Sequence, residues 1–160
     1  MKMEKIINIE ELRNFKLSNK SGLKGGNGSQ LGAAQMLSQI CGYGSYDGYK
    51  VTTNKHEYHL LIENGQSCCE SWGYFESNDN IEEFIGSKLL DVKLTNTALN
   101  VQKLKSEGLE YGFDSGGIQF VDFETNKGVL QIAVYNAHNG YYGHDIIFAK
   151  DNVVLKNDVL

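Results

Sequence analysis

From Tyr49 onward apolar residues alternate with polar ones, the period-two pattern of strands with one covered face. Tyr49, Val51 and Thr53 set one run, and Tyr58, Leu60 and Ile62 set the next. Asn54-Lys55 turns the chain between them, so the two runs read as a β-hairpin that ends at Asn64-Gly65. Leu89–Leu94 reads as a further strand. Ile118–Phe123 and Val129–Tyr135 flank Glu124–Gly128, a hairpin loop. Ile146–Ala149 and Val153–Leu155 follow, joined by Asp151-Asn152.

Before residue 46 the spacing changes. Ile9, Leu12 and Phe15 fall three apart, which predicts a short helix over Ile6–Phe15, with Asn8 as cap and Glu11 as its capping-box partner. Ser29 caps a second predicted helix, Gln30–Gln39, with Leu31, Ala34, Leu37 and Ile40 on one face. Between them Ser18–Ser29 holds Gly22, Gly25, Gly26 and Gly28 and reads as a flexible linker. Asn80–Ile85 predicts a capped helical turn stopped at Gly86, and Leu99–Leu109 is ambiguous, with Val101 and Leu104 spaced as on a helix. This order predicts an α+β fold, a mostly antiparallel sheet with a few short helices, the N-terminal helices preceding the sheet. Residues 1–45 read as a helical extension and 46–160 as the α+β core domain.

The chain has 160 residues, 41% of them hydrophobic, which suffices to bury a core without covalent staples. Its net charge is −5 and Arg13 is its sole arginine. Phosphate recognition rests on clustered cations, so direct nucleic-acid binding is not expected. No apolar run is long enough to span a membrane, and Met1–Lys5 is not followed by the apolar stretch of a secretory signal. A cytoplasmic location is therefore expected, and the cysteines Cys41, Cys68 and Cys69 are expected as reduced thiols.

Nearly all the residues that could do chemistry fall in two segments. Gln66–Phe75 holds Cys68, Cys69, Glu70, Tyr74 and the only tryptophan, Trp72. Tyr135–Asp145 holds Asn136, His138, Asn139, Tyr141, Tyr142, His144 and Asp145. Both are expected as loops, where binding groups concentrate. As structural corners they would be packed rings and turn chemistry. As a metal site, a thiolate of Cys68 or Cys69 with His138 and His144 would suit zinc, although the paired C-x-x-C clip is absent. As a catalytic site, Cys68 or Cys69 would attack, His138 or His144 would take the proton, and Asp145 or Asn136 would orient the ring. No cofactor is expected. His56-Glu57-Tyr58-His59 is one residue short of the H-E-x-x-H metal motif and reads as hairpin surface. Asp79, Glu82 and Glu83 read as an acidic helix start.

The Cys-Cys-Glu-Ser stretch, the Asn-Ile-Glu-Glu-Phe-Ile-Gly turn and the Leu-Leu-Asp-Val strand resemble a family of small uncharacterised proteins of phages, prophages and bacteria. The Tyr-Asn-Ala-His-Asn-Gly-Tyr-Tyr-Gly-His-Asp stretch is similar to the same family, and the resemblance covers roughly 46–155. It implies a protein associated with mobile elements and carries no activity. The expected function is a non-enzymatic protein-binding module, a phage-derived inhibitor of a bacterial defence system. Its partner would be a basic surface such as that of a host nuclease. The alternative is a small-molecule or nucleotide binder, or a Cys/His-dependent enzyme, with Tyr141, Tyr142 and Trp72 stacking on a base.

Overall fold

The alternation from residue 45 onward becomes strands. The computed structural model describes residues 3–16, 24–25, 45–66, 68–109 and 115–160. Its strands are β1 Ile6–Lys16, β2 Lys24–Gly25, β3 Ser45–Thr53, β4 Glu57–Glu63, β5 Ser71–Glu76, β6 Leu89–Thr95, β7 Ser115–Thr125, β8 Gly128–His138, β9 Asp145–Lys150 and β10 Val153–Val159. Six build one sheet in the order β1-β3-β4-β9-β10-β2, and four build a second in the order β5-β8-β7-β6.

The two sheets pack face to face over one core. Tyr49, Val51, Tyr58, Leu60, Ile62, Ile146 and Phe148 from the first sheet meet Val121, Phe123, Leu130, Ile132 and Val134 from the second. The alternation of the sequence explains this, because residues two apart share a face. The opposite face of the first sheet carries Tyr46, Leu61, Ile147 and Ala149. The outer face of the second carries Phe75, Phe120, Ala133 and Tyr135, covered by Leu104 and Leu109 of a single helical turn and its exit. That turn is α1, Val101–Ser106, capped by the side chain of Asn100.

The expected α+β fold is therefore corrected to an all-β sandwich. Among the described residues the helical elements are α1 and the 3-10 turn Ile81–Phe84, which Asn80 caps as its sequence predicts. Ile6–Lys16 is a strand and not a helix, and it pairs antiparallel with β3. The cause is two β-bulges. Pairing slips by one residue between Ile6 and Asn8 and again between Leu12 and Phe15. Each extra residue turns a same-face spacing of two into three. Ile6 and Ile9 thus share the inter-sheet core, while Leu12 and Phe15 share the opposite face. Asn14 in the second bulge has φ of 55°, a left-handed conformation that asparagine tolerates. The expected helix Gln30–Gln39 lies outside the described residues, as does the expected linker apart from Lys24 and Gly25.

The hairpins follow the sequence. β3 pairs with β4, β7 with β8, and β9 with β10. Asp151 and Asn152 have φ of 52° and 66°, the two left-handed positions of a two-residue turn that matches strand twist.

Candidate functional site

Gln66–Phe75 is only partly a loop. Its second half is β5, which runs along β8 with Trp72 opposite Asn136 and Ser71 opposite Ala137. The first half of Tyr135–Asp145 is the end of β8, and a turn then leads to β9. Strand pairing therefore brings the two segments together at one end of the sandwich.

Four of the expected residues converge there. The His144 ring is buried and stacks on the Trp72 indole, with centroids 5.4 Å apart and planes inclined by 25°. His144 Nδ1 lies 2.6 Å from the Glu63 carbonyl, which can only accept, so this nitrogen carries the proton. His144 Nε2 stands 3.6 Å from Oε2 of the buried Glu70. Glu70 Oε1 accepts from Gln66 Nε2 at 2.6 Å and from the Cys68 amide at 2.9 Å. The Trp72 Nε1–H donates to Gln66 Oε1 at 2.8 Å, which closes a ring of contacts. Buried Asn136 donates through Nδ2 to the carbonyls of Tyr142 and Leu160, at 2.8 and 2.9 Å. Among the described residues its Oδ1 has no hydrogen-bond partner. The backbones of His144 and Leu160 exchange two hydrogen bonds, each 2.9 Å long.

The remaining candidates stand apart from this cluster. His138 Nδ1 accepts from the amides of Gly140 and Tyr142, at 3.0 and 3.3 Å, so it shapes its own turn. Tyr74 donates to Glu11 on β1 at 2.6 Å and meets Tyr49 edge to face. Burial and then that Glu11 bond push the Tyr74 phenol up to about 12. Asp145 opens β9, and burial raises its carboxyl above the usual range, a shift opposed by His144. Burial likewise raises Glu63, again against His144. Asn139 and Tyr141 are exposed at the turn, Tyr141 with 84% of its surface accessible.

Cys68 and Cys69 are exposed and joined to each other by a disulfide. The expectation of reduced thiols is corrected for this pair, and a joined pair has no thiolate to attack or to ligate. Among the described residues no three His, Cys, Asp or Glu side chains converge on a position for a metal ion. His56, on the edge of the H-E-x-x-H look-alike, pairs instead with Asp151.

Chemically the cluster is a fastener. General acid–base catalysis requires that the group reach its substrate. The side chains of Glu70 and His144 have accessibilities of 0% and 1%, so neither can. Gln66, Glu63 and Leu160 complete the fastener. Gln66 sits beside the cysteines, where the sequence already concentrates polar groups, whereas Glu63 and Leu160 contribute carbonyls that no local pattern announces.

Residues 4–148 match the family described as Domain of unknown function (DUF7448). No curated protein and no solved structure matches the chain.

Proposed function

The chain belongs to the DUF7448 family, a domain of unknown function, and from that premise we propose that it serves as a protein-binding module and not as an enzyme. The observation that carries this reading is Tyr141, 84% exposed at the tip of a turn whose base is fastened. His138 holds the turn from within, and His144, Glu70, Trp72 and Asn136 hold it from below. An exposed tyrosine on a fastened turn offers a large contact area with only two side-chain torsions to fix, the property of binding hot spots. His144 and Glu70 are buried against each other and Cys68 is joined to Cys69, which supports binding over turnover.

The net charge of −5 favours a basic partner surface. An antagonist of a bacterial defence nuclease, carried by a phage, is the concrete form of this proposal. The alternative, a nucleotide stacked between Tyr141, Tyr142 and Trp72, loses ground because Trp72 already stacks on His144.

The test is affinity capture from bacterial lysate with the full chain as bait, beside a Tyr141→Ser bait. A stoichiometric partner kept by the first and lost by the second supports the proposal. Equal capture by both baits, or capture of nothing, overturns it.

A further inference from the structure

β6 forms one edge of the four-stranded sheet, and among the described residues nothing pairs with its outer side beyond Leu89. The Leu89 amide donates to the Glu4 carbonyl at 2.9 Å, which closes the edge before the strand proper. From Leu90 on, no strand among the described residues covers the edge. The Val92 amide donates to Oδ1 of its own neighbour Asp91 at 2.9 Å, an exposed contact that an incoming strand would have to displace. Pairing with β7 slips by one residue at Leu90, so regular alternation starts at Asp91, and the outward backbone groups are those of Val92 and Leu94.

Two features mark this edge. First, it borders a cleft of about 280 Å³ between the sheets, where Leu90, Val92, Phe148 and Leu155 stand beside the charged Glu4 and Lys150. Leu90 and Leu155 are 67% and 56% exposed. A second, separate cleft of about 380 Å³ lies between Leu94 and Lys156. Open strand edges beside apolar surface invite another strand.

Second, the edge reads as its own complement. The run is Leu90-Asp91-Val92-Lys93-Leu94. Laid antiparallel on a second copy about a two-fold axis at Val92, it places Asp91 opposite Lys93 and Lys93 opposite Asp91. Val92 faces Val92, and Leu90, the bulged residue at the start of the run, falls beside Leu94 on both sides. Both cross-strand charge pairs attract and both flanking pairs are apolar, which are the pairings that stabilise adjacent strands. A two-fold interface requires this kind of self-complementary patch. In the single chain Lys93 sits 2.7 Å from Glu124, an exposed ion pair that is readily exchanged.

We propose that β6 is a homodimer edge: two copies pair antiparallel about Val92 and join their four-stranded sheets into one of eight strands. The two Leu155 side chains and the clefts behind Leu90 and Leu94 close against the partner. This surface is separate from Tyr141 and stands whether or not that residue binds a partner.

A charge cycle on the full chain, followed by sedimentation velocity over a range of concentrations, tests it. Wild type dimerises, and added salt weakens the dimer. Asp91→Lys alone and Lys93→Asp alone each set like charges opposite each other twice. Each raises the dissociation constant by about tenfold or more. The double variant Asp91→Lys, Lys93→Asp restores the wild-type constant, and an equal mixture of the two single variants dimerises better than either alone. Circular dichroism of each variant confirms that the sheets persist. The proposal is overturned by a wild type that stays monomeric at its highest soluble concentration. It is equally overturned by a dimer indifferent to the reversals, or by an unrelated protein held at this edge while the pure chain stays single.

Discussion

The single tryptophan of the chain lies flat against a buried histidine: Trp72 and His144 stack with centroids 5.4 Å apart. Intrinsic fluorescence therefore reports directly on the end of the sandwich where the two chemistry-bearing segments meet. His144→Ala removes the stack, the bond to the Glu63 carbonyl and the neighbour of Glu70, and leaves a cavity. We expect a loss of about 3 kcal/mol in urea unfolding, together with a shift of the Trp72 emission before unfolding begins.

Gly116→Ala should be more damaging than its exposed position suggests. Gly116 has φ of 92°, and a Cβ there would stand 2.0 Å from the Asn136 carbonyl oxygen. Backbone cannot swing aside as a side-chain tip can, so the β7–β8 ladder must shift under Asn136. The expected destabilisation is about 2–3 kcal/mol, read as a lowered Tm.

Acid should weaken the fold through His59. Burial, and then the charge of Lys50, lower its pKa below the ordinary imidazole value. Above about pH 6.5 the ring is neutral in both folded and unfolded chains, and its contribution is complete. As pH falls below that value the unfolded chain takes a proton that the fold resists, and stability declines until the folded-state pKa is passed. His59→Phe, which keeps a ring against Phe15, should lose less stability between about pH 7.5 and about pH 5.5 than wild type does. Equal losses in the two proteins would contradict the assignment.

The Cys68–Cys69 disulfide predicts a count of thiols. The chain has three cysteines. Denatured without reductant, it should take up at most one alkyl group, and after reduction all three. Mass spectrometry reads the difference. Three groups before reduction would restore the free thiols on which a nucleophile depends.

Tyr141→Ser should leave stability within about 0.5 kcal/mol of wild type, since an exposed side chain gives up little on folding. A drop well beyond that would mean that Tyr141 supports the turn and is not presented by it.

The strands from residue 45 onward were largely legible because a single residue, such as Val51 or Leu60, has neighbours two positions away on the same face. β1 was not legible. Its bulges set Ile6 with Ile9 and Leu12 with Phe15 at helical spacing, and a bulge has no signature in apolar spacing alone. β5 was missed because Gly73 and the polar residues around it break the alternation, and its place is set by pairing with β8. Of the site, the residues were legible and their relations were not. Trp72, Glu70, Asn136 and His144 stood out by type, but local pattern carries no information about which distant strand lies alongside. The fate of Cys68 and Cys69 was likewise a matter of covalent state and not of position.

β9 sits between β4 and β10, yet all of the second sheet is encoded between β4 and β9. A ribosome therefore delivers β1 to β4 of the six-stranded sheet first and the whole four-stranded sheet next. Only then does it deliver the strand that fills the middle of the first. Throughout that interval Leu60 and Ile62 line an edge with no neighbour. Until β9 emerges, that edge of β4 has no strand to pair with, so the time it stays open depends on translation as well as on folding. Slowing synthesis through residues 71–138 should lengthen that exposure.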